Sequence, residues 1–140
     1  TPDEQHTMLT LWCLFGSPLM LGCELTKLDD ATLALLTNRD ILSMLTPDCK
    51  PHQICLDDEK AIWCAHNAVT GEHFIAFFNL SDETQTIHCD IETLRVGDEL
   101  CIHENASLTE LWSKEKTSVS GSAISVTPPA HGCLVFRVEN

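Results

Sequence analysis

Residues 11–25 read LWCLFGSPLMLGCEL, and no other stretch of the chain is so apolar. The uncharged run around it, from Leu9 to Cys23, is about fifteen residues long and is interrupted by Gly16, Ser17 and Pro18. Crossing a bilayer takes roughly 20 consecutive apolar residues. A signal peptide would need a basic flank, whereas Asp3 and Glu4 precede this run. The segment is therefore expected to lie in a protein interior, and it restricts the folds open to the chain to those that can bury it.

The local pattern sharpens that expectation. Asp3 and Glu4 suit the positive end of a helix running to Phe15, with Met8, Leu11, Trp12 and Phe15 on one face at helical spacing. PLMLGCEL, residues 18–25, has the length and continuous apolarity of a strand covered on both sides, as in parallel sheets. KLDDATLALLTN then predicts a helix capped at Asp29 or Asp30 and ending at Asn38, and RDILSML a second short one ending before Pro47. Helix, buried strand and helix are the units of α/β barrels and doubly wound sheets.

After Pro47 the texture changes. Short alternating segments are expected as strands at 53–56, 61–68, 72–80, 84–92, 99–104, 108–113, 122–127 and 131–138, divided by turn residues such as DDE, VTG, SDE, RVGD and VSGS. Strands at this spacing predict an antiparallel sandwich. In HFIAFFNL both alternating sets are largely apolar, which predicts a central strand covered on both faces. The break falls near residues 46–51, dividing the chain into residues 1–46 and 47–140.

Charge and cysteine content exclude several functions. Acidic residues outnumber basic ones by 21 to 8, and the net charge of −13 opposes binding to nucleic-acid backbones or anionic membranes. The eight cysteines are irregularly spaced, form no CxxC pair and sit mostly among apolar neighbours, so reduced buried thiols in a cytoplasmic setting are expected. Cys49 and Cys55 are the pair to watch for a disulfide. Cys64 with His66, and His131 with Cys133, are each two residues apart and would share a strand face, making them the weak metal candidates, although the spacing matches no zinc signature. Asp29–Asp30, Asp57–Asp58–Glu59 and Asp82–Glu83 fall in caps and turns, where acids are solvated. No catalytic residue is assigned. Glu24, at the C-terminal end of the apolar run, is the weak substrate-binding candidate, and no cofactor is implied.

EQHTMLTLWCLFGSPLMLGCEL, residues 4–25, resembles the segment of α-galactosidases (the melibiase family of glycoside hydrolases, family 27 and relatives) in which the penultimate helix of a TIM barrel leads into its eighth strand. LDDATLALLTNRDIL resembles the final barrel helix and the short helix after it. IWCAHNAVTGEHFIAFFNLSD and LWSKEKTSVSGSAISVTPPAHGCLVFRV resemble the first hairpin and the closing strands of the family's C-terminal domain. Two places depart from the family pattern: SMLTPDCKPHQ replaces an Asn-Gln-Asp and Leu-Gly stretch, and Glu24 stands where many relatives have Asp.

The resemblance implies a mainly β fold, an antiparallel β-sandwich of about eight strands of Greek-key type, preceded by the helix–strand–helix remnant of a TIM (β/α)8 barrel. It implies hydrolysis of terminal α-galactosides with retention by the full-length protein, using two aspartates on earlier barrel strands that nothing in this chain matches. The chain is then a non-catalytic accessory region whose partner is the rest of its own barrel, and carbohydrate is met only through the full-length enzyme. A carbohydrate-binding or oligomerisation sandwich is the alternative, with self-association through the exposed barrel remnant; the lack of Tyr and the apparently internal Trp12, Trp63 and Trp112 weigh against sugar stacking.

Overall fold

The computed structural model describes all 140 residues. Helix α1 spans Pro2–Leu14, α2 Asp30–Leu36 and α3 Arg39–Leu42. Ten strands follow: β1 Cys49–Leu56, β2 Lys60–Asn67, β3 His73–Asn79, β4 Ile87–Asp90, β5 Arg95–Val96, β6 Glu99–Leu100, β7 Ser107–Glu110, β8 Lys116–Ser118, β9 Ala123–Val126 and β10 Cys133–Glu139. They form an antiparallel six-stranded sheet in the order β1-β2-β3-β10-β7-β8 and two small sheets, β4-β9 and β5-β6. No helix is long and apolar enough to cross a membrane.

Helix α1 begins with a capping box. Thr1 Oγ1 accepts from Glu4 N at 3.2 Å, while Glu4 returns to the Thr1 amine at 2.6 Å, and Pro2 occupies the first turn, where its missing N–H costs nothing. The helix ends where Gly16 takes φ +64. Asp29 caps α2 through Thr32 N at 2.7 Å, and Asn38 caps α3 through the backbone N–H groups of Asp40 and Ile41.

Strand β3 is buried along its whole length between β2 and β10, as the two-sided apolar pattern predicts. Its alternation feeds two cores. Ile75 and Phe77 join Ile62, Cys64, Phe136 and Val138 under the two small sheets. Phe74, Ala76 and Phe78 join Ala61, Ala65, Cys133 and Val135 on the other face, where Leu9, Cys13 and Leu14 of α1 and Ile41 and Met44 from the α3 region cover them. Helices, large sheet and small sheets therefore make three layers, with α1 and the α3 region packed directly on the large sheet.

The expected strand over residues 18–25 is absent. The backbone from Ser17 to Cys23 makes no ladder, and the Pro18 carbonyl accepts from Trp12 Nε1 at 2.9 Å. A strand of a parallel sheet needs neighbours on both sides for its amides, and none lies in this chain. Met20 is 81% exposed and Leu25 63% exposed, so the most apolar segment is turned to solvent instead of buried. Other differences are local. The stretch 99–104 contributes only two strand residues, residues 111–113 turn instead of extending, and β5 and β8 are additional short strands. The RVGD turn is the tip of the β5-β6 hairpin, with Gly97 at φ +63 where a two-residue hairpin loop of this kind needs a left-handed first position.

Candidate functional site

Helix α1 is apolar on two opposite sides. At 100° per residue, Leu9, Thr10, Cys13 and Leu14 centre about half a turn away from Met8, Leu11, Trp12 and Phe15. The buried set is the first, facing the sheet. Sequence periodicity singles out the second set, and Met8, Trp12 and Phe15 of that set are exposed, which corrects the reading of Trp12 as internal. Periodicity cannot choose between two apolar stripes; the sheet does, because Thr10 meets specific partners there. Thr10 Oγ1 accepts from Trp112 Nε1 at 3.0 Å and from the Cys133 thiol at 3.5 Å, Thr7 Oγ1 donates to the His131 carbonyl at 2.9 Å, and His6 stacks on Trp112 at 4.3 Å. On α3, Asp40 receives Arg137 at 3.0 Å and Lys114 at 2.7 Å. These contacts fix the helices; on the outer stripe Leu11 packs on the helix-side core and Phe15 meets Trp63 edge-on at 4.9 Å, while Met8 and Trp12 remain exposed. Met8, Trp12, Phe15, Met20, Leu21, Leu25 and Leu33, all within residues 8–33, make up seven of the ten large exposed hydrophobic residues.

A cleft of about 670 Å³ lies beside this layer, lined by Asp3, His6, Glu110, Trp112, Lys116 and Phe136 among others. Its buried carboxylate is already committed. Glu110 accepts from the backbone N–H groups of Trp112 at 2.9 Å, Ser113 at 2.6 Å and Val135 at 3.2 Å. Both of its oxygens are engaged by backbone N–H groups, and through them it holds the turn after β7.

Glu24 stands in solvent. Its carboxylate pairs with Lys27 at 2.9 Å and accepts from Thr26 at 3.0 Å, and those two bonds lower its pKa. The four metal candidates do not converge. Cys64 belongs to the core under the small sheets and Cys133 to the core under the helices, so the large sheet separates them. Along the strands Cys133 lies level with Phe78 and Ala61, whereas Cys64 lies level with Ile75 and Phe136, three residues or roughly 10 Å away. His131 instead pairs with Asp82 at 2.9 Å at the surface. Cys49 and Cys55 occupy opposite ends of β1, roughly 20 Å apart at 3.3 Å per residue, beyond disulfide reach. All eight cysteines are unpaired and six are buried. Burial alone pushes Cys13 up to about 11, and burial is the leading cause of the same value for Cys49 and Cys133.

His66 does join a cluster, with partners that its sequence neighbourhood does not supply. His66 and His73 face each other across the β2-β3 ladder, their rings stacked at 4.4 Å and 13°. Glu99, on the β5-β6 hairpin, brings Oε1 to 3.7 Å from His73 Nε2. That distance is too long for a hydrogen bond, and the buried Nε2 has no other partner. Burial, then the neighbouring His66, lowers the His73 pKa. The signal for His73 was available: the hairpin turn at VTG sets His66 opposite His73 by counting. Glu99 arrives only through the tertiary placement of β6.

Residues 57–138 match the family described as the alpha galactosidase C-terminal beta sandwich domain. Among curated proteins, α-galactosidase A of Cellvibrio japonicus is 23% identical over 146 residues, covering 99% of this chain and 36% of that protein. A probable α-galactosidase of Dictyostelium discoideum is 28% identical over 145 residues, covering 96% and 35%. Among solved structures, a GH27 β-L-arabinopyranosidase from Geobacillus stearothermophilus superposes with a TM-score of 0.86 at 30% identity, over 100% of this chain and 31% of that one. The α-galactosidase I of Mortierella vinacea shares the fold with a TM-score of 0.85 at 16% identity. The chain thus spans about a third of the length of the curated relatives it matches.

Proposed function

The chain belongs to the alpha galactosidase C-terminal beta sandwich family, and from that membership we propose that it serves as the non-catalytic C-terminal region of a glycoside hydrolase. Residues 1–46 supply the last unit of a TIM barrel, and residues 47–140 form the sandwich that holds that unit in place. The partner is the rest of the same barrel, which carries the two catalytic aspartates and the sugar site. The reaction is hydrolysis of terminal α-galactosides with retention. Among the matching proteins are α-galactosidases and a β-L-arabinopyranosidase, whose sugar has the ring configuration of α-galactose without the hydroxymethyl group. A galacto-configured terminal sugar is therefore the substrate class.

The observation that carries this reading is the two-sided helix α1. One stripe is fixed to the sandwich by buried contacts, and the other, continuous with exposed Met20, Leu21 and Leu25, awaits a covering of comparable apolarity. Residues 18–25 would become a strand on gaining neighbours for its free amides. Reading the coding sequence upstream of Thr1, expressing the whole frame and assaying both products on an aryl α-galactoside tests the proposal. The longer product should hydrolyse it and the 140-residue chain should not. Hydrolysis by the short chain, or an upstream frame without barrel units, would overturn it.

A further inference from the structure

We propose that His66, His73 and Glu99 form a binding site for a divalent transition-metal ion of the zinc type. Two imidazoles and one carboxylate are a donor set that such ions accept with a water completing the coordination, whereas calcium and magnesium call for oxygen ligands throughout. The three donor atoms lie within 4.8 Å of one another. Tetrahedral ligands at about 2.0–2.1 Å from zinc would stand roughly 3.3 Å apart, so the stacked rings must turn about χ2 and the exposed Glu99 side chain must swing in. No hydrogen bond and no other ion pair holds that side chain elsewhere.

A structural role leaves one fact unexplained. The His73 side chain is more than nine-tenths buried, and its Nε2 points into the cluster without any hydrogen-bond partner. A buried polar atom left unpaired costs about 1–3 kcal/mol, and a metal ion would satisfy it. The exposed His103 lies near enough for its charge to weigh on His73. Cys64 and Cys101 lie outside the donor group. A bound ion would tie the β2-β3 hairpin to the β5-β6 hairpin, two elements that meet only in the tertiary fold.

The test is calorimetric titration of the purified protein with Zn²⁺ alone, in a non-chelating reductant. One equivalent should bind, and the melting temperature should rise with zinc concentration by mass action. His66→Gln and Glu99→Gln change partly or largely exposed side chains and should fold. Each should weaken binding at least about tenfold, since even outer-shell partners act on that scale. His88→Gln, on the exposed face of β4, should bind like the parent. Co²⁺ should give visible d–d bands with no thiolate charge-transfer band. Absence of zinc binding by the folded protein, binding unchanged in His66→Gln and Glu99→Gln, or a thiolate band that vanishes in Cys64→Ser would each overturn the site.

Discussion

Asn79 shows how much a single buried side chain organises. Its amide Nδ2 donates to the carbonyls of Glu83 at 2.8 Å and Pro129 at 2.9 Å, and its Oδ1 accepts from Ser81 N, Ser81 Oγ and Gln85 Nε2. It therefore pins the loop after β3 to the loop before β10, where Gly132 passes so close to Pro129 that an added Cβ would stand 2.5 Å from its ring. Asn79→Ala should lower the unfolding free energy by about 1–3 kcal/mol for each buried group left unpaired, measured by urea denaturation. Asn79→Asp should be no rescue, because a carboxylate would face carbonyls. At the β1-β2 turn, Asp57 is held down at about 2 by Lys60 at 2.8 Å and by the backbone N–H groups of Glu59 and Lys60. A depressed folded pKa stabilises the charged form above the ordinary value near 3.8 and loses that contribution as pH falls towards 2. Asp57→Asn should thus melt below the parent at pH 5, and the gap should close by about pH 2. A gap independent of pH would mean that the carboxylate charge contributes nothing.

At the scale of elements, α1 separates packing from docking. Leu9 and Leu14 are 2% and 1% exposed against the sheet, while Met8 is 55% exposed. Leu9→Ala or Leu14→Ala should cost about 2–5 kcal/mol in the 140-residue chain, and Met8→Ser should stay within about 0.5 kcal/mol. In the longer protein that the family implies, Met8→Ser should become destabilising, and equal effects in both settings would argue against a covering barrel. Strand β3 is the element that both cores share. Phe77 is fully buried and meets Phe136 edge-on at 6.2 Å, so Phe77→Ala should cost about 3–5 kcal/mol.

For the whole molecule, that sharing predicts cooperativity. Trp63 and Trp112 pack with the helix-side core and Trp12 sits on α1, whereas the core under the small sheets contains no Trp. Tryptophan fluorescence therefore reports one side of the sheet and far-ultraviolet dichroism both. The two transitions should coincide in urea, because β3 cannot leave one core and stay in the other; separate midpoints would show the helical layer detaching first. The strands of the sandwich were legible because local alternation and turn residues specify them, as the β2-β3 hairpin and the fully buried β3 illustrate. The two Cys/His pairs lie apart because two-residue spacing identifies a shared face without saying which face, and Cys64 and Cys133 join cores on opposite ones.

The local choices are readable along the chain: the capped helices, the turns, the alternating strands and the family to which they add up. Those depend on neighbours within a few residues, whose chemistry can be read in order. Which stripe of α1 is buried, that residues 18–25 remain an unpaired apolar segment, and that Glu99 comes to lie beside His66 and His73 emerge with the assembled fold alone. Each of these depends on a surface assembled from distant strands, and a side chain's partner across space leaves no mark on its neighbours in the chain.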